Sequence, residues 1–220
     1  MPVISFANSK GGVGKSTSAL VLSQVFAHHN SSVTLIDADP NQPLKKWALR
    51  DSERVPENLH IVADVNEDTI LSAIDDASQK DAFVIIDLEG SKNVTVSYAI
   101  GRSDLVLIPI QGSQLDADEA AAVIQLIERE KRAFNRDIDY AVLFSRSTMI
   151  QARDVTHVRK QLIKNDISIL KSELMDRSAY RTIFQLGGSI YDLTEKEVSN
   201  PQKAITNAEA YAQSVTELLG

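Results

Sequence analysis

One stretch near the start of the chain, Phe-Ala-Asn-Ser-Lys-Gly-Gly-Val-Gly-Lys-Ser-Thr from Phe6 to Thr17, restricts the possible folds more than any other. An apolar run, Val3–Ala7, precedes it, and a pattern of helical period from Ser16 to His28 follows. Strand, glycine loop and helix in that order are the setting of a phosphate-binding loop. Gly11, Gly12 and Gly14 let successive backbone N–H groups turn inward as an anion nest, and the following helix adds its N-terminal dipole. Val13 and Thr17 complete the loop, Lys15 is placed to reach the outer phosphates, and the Ser16 hydroxyl is a ligand type for Mg²⁺. The general loop pattern asks for glycine where this chain has Ser9. What fits is the variant K-G-G-x-G-K-[ST], with an additional lysine, Lys10, ahead of the glycines.

The rest of the sequence alternates apolar runs with helical patterns. Val3–Ala7, Val33–Ile36, Leu59–Val62, Phe83–Ile86, Leu105–Ile110 and Tyr140–Phe144 are near-continuous in Val, Ile, Leu and Phe, as strands buried on both faces are. Between them, Ala120, Val123, Ile124 and Ile127 repeat at helical spacing within Asp116–Lys131, and Ile205, Ala208, Ala212, Val215 and Leu219 do so within Pro201–Leu219. The alternation predicts an α/β fold of the P-loop NTPase kind, a mostly parallel twisted sheet with helices on both faces. At 220 residues, with no internal repeat and no Pro/Gly linker, residues 1–220 read as one domain.

Open sheets of this kind bind ligands beyond the carboxyl ends of their strands, and two of those ends carry acids. Leu35-Ile36 leads into Asp37-Ala38-Asp39-Pro40, and Val84-Ile85-Ile86 leads into Asp87. Four apolar residues directly ahead of Asp87 mark it as the acid that holds Mg²⁺, directly or through water. A carboxylate at Asp39 could accept a proton from an attacking water; by itself, an Asp-Pro turn explains that segment equally well.

The variant loop, Asp37-Ala38-Asp39-Pro40-Asn41-Gln42 and Asp87, in that order, resemble the deviant Walker A ATPases of the ParA/MinD group. Within the group the chain is most similar to the short plasmid-type ParA partition proteins. The resemblance covers the first half of the chain, with Asp104–Ile110 and Ser113–Asp116 continuing it, and fades after about residue 146. Asp39 through Pro43-Leu44-Lys45-Lys46-Trp47 also resembles the related ATPases that assist conjugative DNA transfer. The resemblance implies a cytoplasmic, nucleoid-associated ATPase whose cofactors are ATP and Mg²⁺. It implies that Lys10 crosses a homodimer interface to the partner's nucleotide, that Asp39 positions the attacking water, and that Asp37 supports the metal shell. It further implies sequence-independent DNA binding by the ATP dimer and release on hydrolysis stimulated by a ParB-type partner. Leu88-Glu89-Gly90 departs from the family, whose members often carry proline after the acid.

Charge bears on the DNA expectation. The chain carries a net −7, which opposes attraction of nucleic acid over the whole surface. Between Arg146 and Arg181, however, eight basic side chains face four acidic ones. On an expected helix at Arg153–Lys164, Val155, Val158 and Leu162 form the buried stripe; Arg153, His157, Lys160 and Lys164 fall opposite, where they suit phosphate contacts. Arg159 falls nearer the buried side, suited to pairing with an acid. Arg177 and Arg181, four apart on an expected helix, fit either that DNA surface or the nucleotide's base.

Other readings on the same scaffold fare worse. A membrane-cycling, MinD-like ATPase needs an amphipathic, basic last helix, whereas Lys203, Glu209 and Glu217 leave Pro201–Leu219 a packing helix. No apolar run approaches the ~20 residues of a membrane span. The iron–sulfur relatives need cysteines, and the sequence has none.

Overall fold

A computed structural model describes residues 1–91, 93–147 and 153–220. The strands are β1 (Val3–Phe6), β2 (Val33–Ala38), β3 (Leu59–Val62), β4 (Phe83–Leu88), β5 (Leu105–Ile110), β6 (Asp139–Ser147) and β7 (Leu174–Met175). The helices are α1 (Lys15–His28), α2 (Pro43–Arg50), α3 (Ile70–Lys80), α4 (Val94–Arg102), α5 (Gln114–Phe134), α6 (Arg153–Lys164), α7 (Ser178–Leu186) and α8 (Pro201–Leu219). Among the described residues the strands form one sheet in the order β3-β2-β4-β1-β5-β6-β7, and every pairing is parallel.

Strand periodicity builds two cores, one on each side. Leu35, Ile85, Leu107 and Leu143 point to the side covered by α1, α2, α7 and α8; Ile36, Ile86, Ile108 and Val142 point to the side covered by α3, α4, α5 and α6. Because α1 is clasped between the central strands and α8, it is buried nearly all round, from Ser18 to Ala27. The last helix packs through Ala204, Ala208, Tyr211, Ala212 and Val215. No helix among the described residues is long and apolar enough to cross a membrane.

The structure corrects several expected boundaries. Strand β2 runs on through Asp37 and Ala38, and β4 through Asp87 and Leu88, so the acids sit inside the ladder, with Asp37 paired in register to Asp87. Burial on both faces fails for β3, which lies at the sheet edge and alternates a buried Leu59 with an exposed His60. The short β7 is absent from the sequence reading, because two residues carry no periodicity. Helix α5 begins at Gln114, ahead of the expected Asp116, because Ser113 and Asp116 form a capping box there.

Candidate functional site

The loop between β1 and α1 takes the shape its glycines permit. Gly14 is the N-cap of α1 with φ 95°, in the left-handed region that a side chain would strain, and Gly12 has φ 77°. The loop that follows β4 approaches so closely that a Cβ on Gly90 would lie 2.9 Å from the Ser9 carbonyl oxygen. A proline or any other side chain at that position would therefore have to displace one loop from the other.

Lys15 Nζ lies 3.0 Å from the Asn8 carbonyl oxygen, so its ammonium rests on the loop's own acceptors. Burial pulls its pKa below the ordinary lysine value, opposed by Asp87, Asp39 and Glu89 nearby. Asp87 is fully buried, and burial pushes its carboxyl up to about 7; neighbouring Ser16 and Lys15 counter this, and the carboxylates of Asp37 and Asp39 reinforce it. The Ser16 hydroxyl lies beside Asp87, yet neither carboxylate oxygen has a protein partner with good hydrogen-bond geometry. Asp37 is divided between two tasks. Its Oδ2 accepts the N–H groups of Leu44 (2.8 Å) and Lys45 (2.9 Å) and so caps α2 from a distance in sequence, while its buried Oδ1 has no partner. Burial raises its carboxyl as well, against those N–H groups.

Buried carboxylate oxygens without partners are costly, and a cation is what would satisfy them. Ser16, Asp87 and the free oxygen of Asp37 are hard oxygen donors and fit Mg²⁺. Among the described residues no cluster of three or more His, Cys, Asp or Glu makes a self-contained metal cage. Mg²⁺ held by one or two carboxylates, water and phosphate oxygens does not require one.

Asp39 stands half-buried at the mouth of the site and forms the Asx turn that an Asp-Pro segment suggests. Its Oδ1 accepts from Asn41 N (2.8 Å) and Asn41 Nδ2 (3.0 Å). Turn and site coincide here, because Asp39 and Asn41 line the same cleft of about 520 Å³ as Gly11, Gly12, Lys15 and Thr17. Val13, between these glycines, is fully buried; its carbonyl accepts from Ser145 Oγ. A larger, open groove of about 1100 Å³ between α4 and α5 gathers none of these groups.

The far wall of the cleft comes from residues that no motif marks. Ser145 and Arg146 lie where β6 loses register against β7, and Arg146 has φ 52°, an uncommon setting for a non-glycine residue. That kink sends its guanidinium to the Gly12 carbonyl, 3.1 Å from Nη1. Met175 and Tyr180 add apolar surface. Positive φ and bulges are products of tertiary packing, so the only local trace of this wall was its basic content.

The residues expected to touch DNA lie on different elements. Lys160 and Lys164 are exposed on α6, whose buried side carries Val158 and Leu162. The side chain of Arg153 lies outside the described residues. Arg177 is the N-cap of α7, not within the helix; it and Arg181 line the cleft, Arg181 paired with Asp176. Arg159 pairs with Glu173 and lies 4.3 Å from the Phe144 ring centroid.

Lys10 is engaged within its own chain. Its Nζ lies 2.7 Å from Asp116 Oδ1 at the start of α5. Although burial opposes it, the Lys10 ammonium and the Ser113 N–H hold the Asp116 carboxyl below the usual carboxylate range.

Known proteins share the sequence pattern and the fold. The sequence profile of the family described as VirC1 protein matches residues 1–218. A ParA protein of Rhizobium radiobacter is 41% identical over 220 residues, which are 100% of this chain and 98% of that protein. Two solved structures share the fold at low identity. A putative plasmid partition protein of Borrelia burgdorferi bound to AMPPNP has TM-score 0.71 and 19% identity, over 96% of this chain and 98% of that one. The septum site-determining protein MinD of Pyrococcus horikoshii, complexed with Mg-ADP, has TM-score 0.74 and 15% identity, over 100% of this chain and 97% of that one.

Proposed function

The chain belongs to the VirC1 family, and from that membership and its likeness to a ParA protein we propose that it is a Mg²⁺-dependent ATPase that partitions DNA. The observation that carries the reading is the meeting of Lys15, Asp37, Asp87 and Asp39 around a glycine loop that bears a second lysine.

In this reading the loop N–H groups and Lys15 bind the phosphates of ATP. Ser16 and Asp87, with Asp37 in support, would hold Mg²⁺, which would supply neutralisation of phosphate charge. Asp39 orients a water in line with the γ-phosphorus and accepts its proton as the new P–O bond forms. The bond to the β-γ bridging oxygen breaks, giving ADP and inorganic phosphate. Arg146, Met175 and Tyr180 offer apolar and cationic surface in the cleft against which the nucleoside would lie. Lys10 completes the site of a partner subunit, so that ATP closes a homodimer. The dimer binds DNA without regard to sequence, a ParB-type protein stimulates hydrolysis, and separation releases the DNA. The protein then works in the cytoplasm, on the nucleoid.

The resemblance of Asp39 through Trp47 to ATPases that assist conjugative DNA transfer supports a second use of the same cycle, in which the cargo differs and the chemistry does not. Both uses are tested by titrating duplexes of unrelated sequence with and without Mg-ATP over a range of salt. Tight binding that needs Mg-ATP, ignores sequence and weakens steeply with salt is the expected outcome. Binding indifferent to nucleotide, or none, would refute the proposal.

A further inference from the structure

We propose that Asp116 is a positioning residue that latches Lys10 within its own chain and thereby opposes nucleotide-dependent dimerisation. The inference rests on the reading that Lys10 serves a partner's nucleotide, and adds to it a residue that sets the threshold for engagement.

The two ends of the ion pair differ in freedom. The Asp116 side chain is 0% exposed, while that of Lys10 is 34% exposed. Asp116 is also fixed by its place in α5. Its Oδ2 accepts the Ser113 N–H at 2.9 Å, and its own N–H donates to Ser113 Oγ at 3.2 Å, closing the capping box. The carboxylate therefore cannot follow the lysine, and the lysine must come to it. Two further hydrogen bonds tie the loop to α5 and to the segment leading into it. Ser9 Oγ donates to the Glu119 carboxylate, and Gln111 Nε2 donates to the Gly12 carbonyl at 3.0 Å. The loop residues from Ser9 to Gly12 and the entry to α5 thus form one fastened unit.

An ammonium at 2.7 Å from its own Asp116 cannot also sit on a phosphate bound by another subunit. To cross, Lys10 must leave behind a buried carboxylate whose counter-charge it supplied, and removing one partner of such a pair is costly. That cost is subtracted from whatever the crossing gains. A symmetric dimer opens two latches, so the effect on the dimer equilibrium is squared. The exposed Leu115 and Gln114 on the same turn offer a lever by which a partner could move α5 and free the lysine.

The test is Asp116→Asn, which keeps an acceptor for the Ser113 N–H and removes the charge. Sedimentation with Mg-AMPPNP is expected to give a dimer dissociation constant lower than wild type by about tenfold or more, with the nucleotide-free chain still monomeric. An equal or weaker dimer from a variant with wild-type circular dichroism and melting would overturn the latch. Should the wild-type chain never dimerise with nucleotide, the proposed function fails instead, and the latch is read separately in the monomer. There, acylation by N-hydroxysuccinimidyl acetate, followed by mass spectrometry, is expected to modify Lys10 several-fold more slowly than the exposed Lys196 and Lys203. In Asp116→Asn the Lys10 rate should rise toward theirs. Equal rates for the three lysines in the wild-type chain, a measurement that needs no variant, would also overturn the proposal.

Discussion

Asp87 concentrates the electrostatics of the site in one side chain. Its folded pKa, about 7, lies above the ordinary 3.8, so between those values the native state holds a proton that the unfolded chain has released. Native binding of the additional proton means that stability falls as pH rises through that window and is lowest above pH 7. In the nucleotide-free protein with chelator present, Asp87→Asn should therefore melt higher than wild type at pH 8, by about 2–4 kcal/mol in stability. The gap should close toward pH 4, and parallel melting curves across that range would refute the assignment. Asp39 asks for a different test, because it is half-exposed and its assigned role is chemical. Asp39→Ala should retain ATP binding by fluorescence titration and lose about 100-fold or more in steady-state phosphate release. Full turnover in that variant would move the proton acceptor elsewhere. Both acids were legible as strand-end carboxylates. That Asp37 also caps α2 was not, because Leu44 and Lys45 lie seven and eight residues further along and only the turn at Pro40 brings their N–H groups back.

Among the elements, β7 shows how a two-residue strand can matter. Besides its pairing with β6 it is held by Asn207 of α8, whose Oδ1 accepts from Met175 N (2.9 Å) and whose Nδ2 donates to the Glu173 carbonyl (2.8 Å). The same Oδ1 is 3.1 Å from Tyr180 Oη, at the start of α7. One amide thus aligns two residues of the cleft wall. Asn207→Ala should cost about 1–3 kcal/mol in thermal stability through the groups left unpaired. It should also speed hydrogen exchange at Met175 and weaken nucleotide binding; unchanged exchange there would show that the sheet alone holds β7. The apolar runs forecast the longer strands, since a buried parallel strand needs little beyond a continuous apolar face on each side. At the edges of the sheet they did less: Leu59–Val62 forecast β3 but not its half-solvated face, and the two residues of β7 left no run to read.

The whole molecule sets an acidic body against a local basic surface. Lys160 and Lys164 stand exposed on one face of α6, and a dimer would present the pair twice. Removing both should weaken DNA binding and reduce the slope of log K against log salt by about 0.9 for each phosphate that is no longer neutralised. A slope unchanged in the double variant would place the DNA surface elsewhere. Arg177 and Arg181 are not expected to share that behaviour, since they border the cleft and should alter nucleotide affinity first.

By itself the sequence determined the glycine loop, the parallel α/β architecture and the acids at the strand ends. Each of these follows from local spacing: glycines for the nest, lysine and serine at the helix start, apolar runs ending in aspartate. Tertiary structure alone decided how those parts face one another. It paired Asp37 with Asp87 across a ladder and turned Arg146 onto the loop through a kinked strand. It also set Lys10 against Asp116, more than a hundred residues away, because two neighbouring parallel strands deliver their loops to one edge of the sheet.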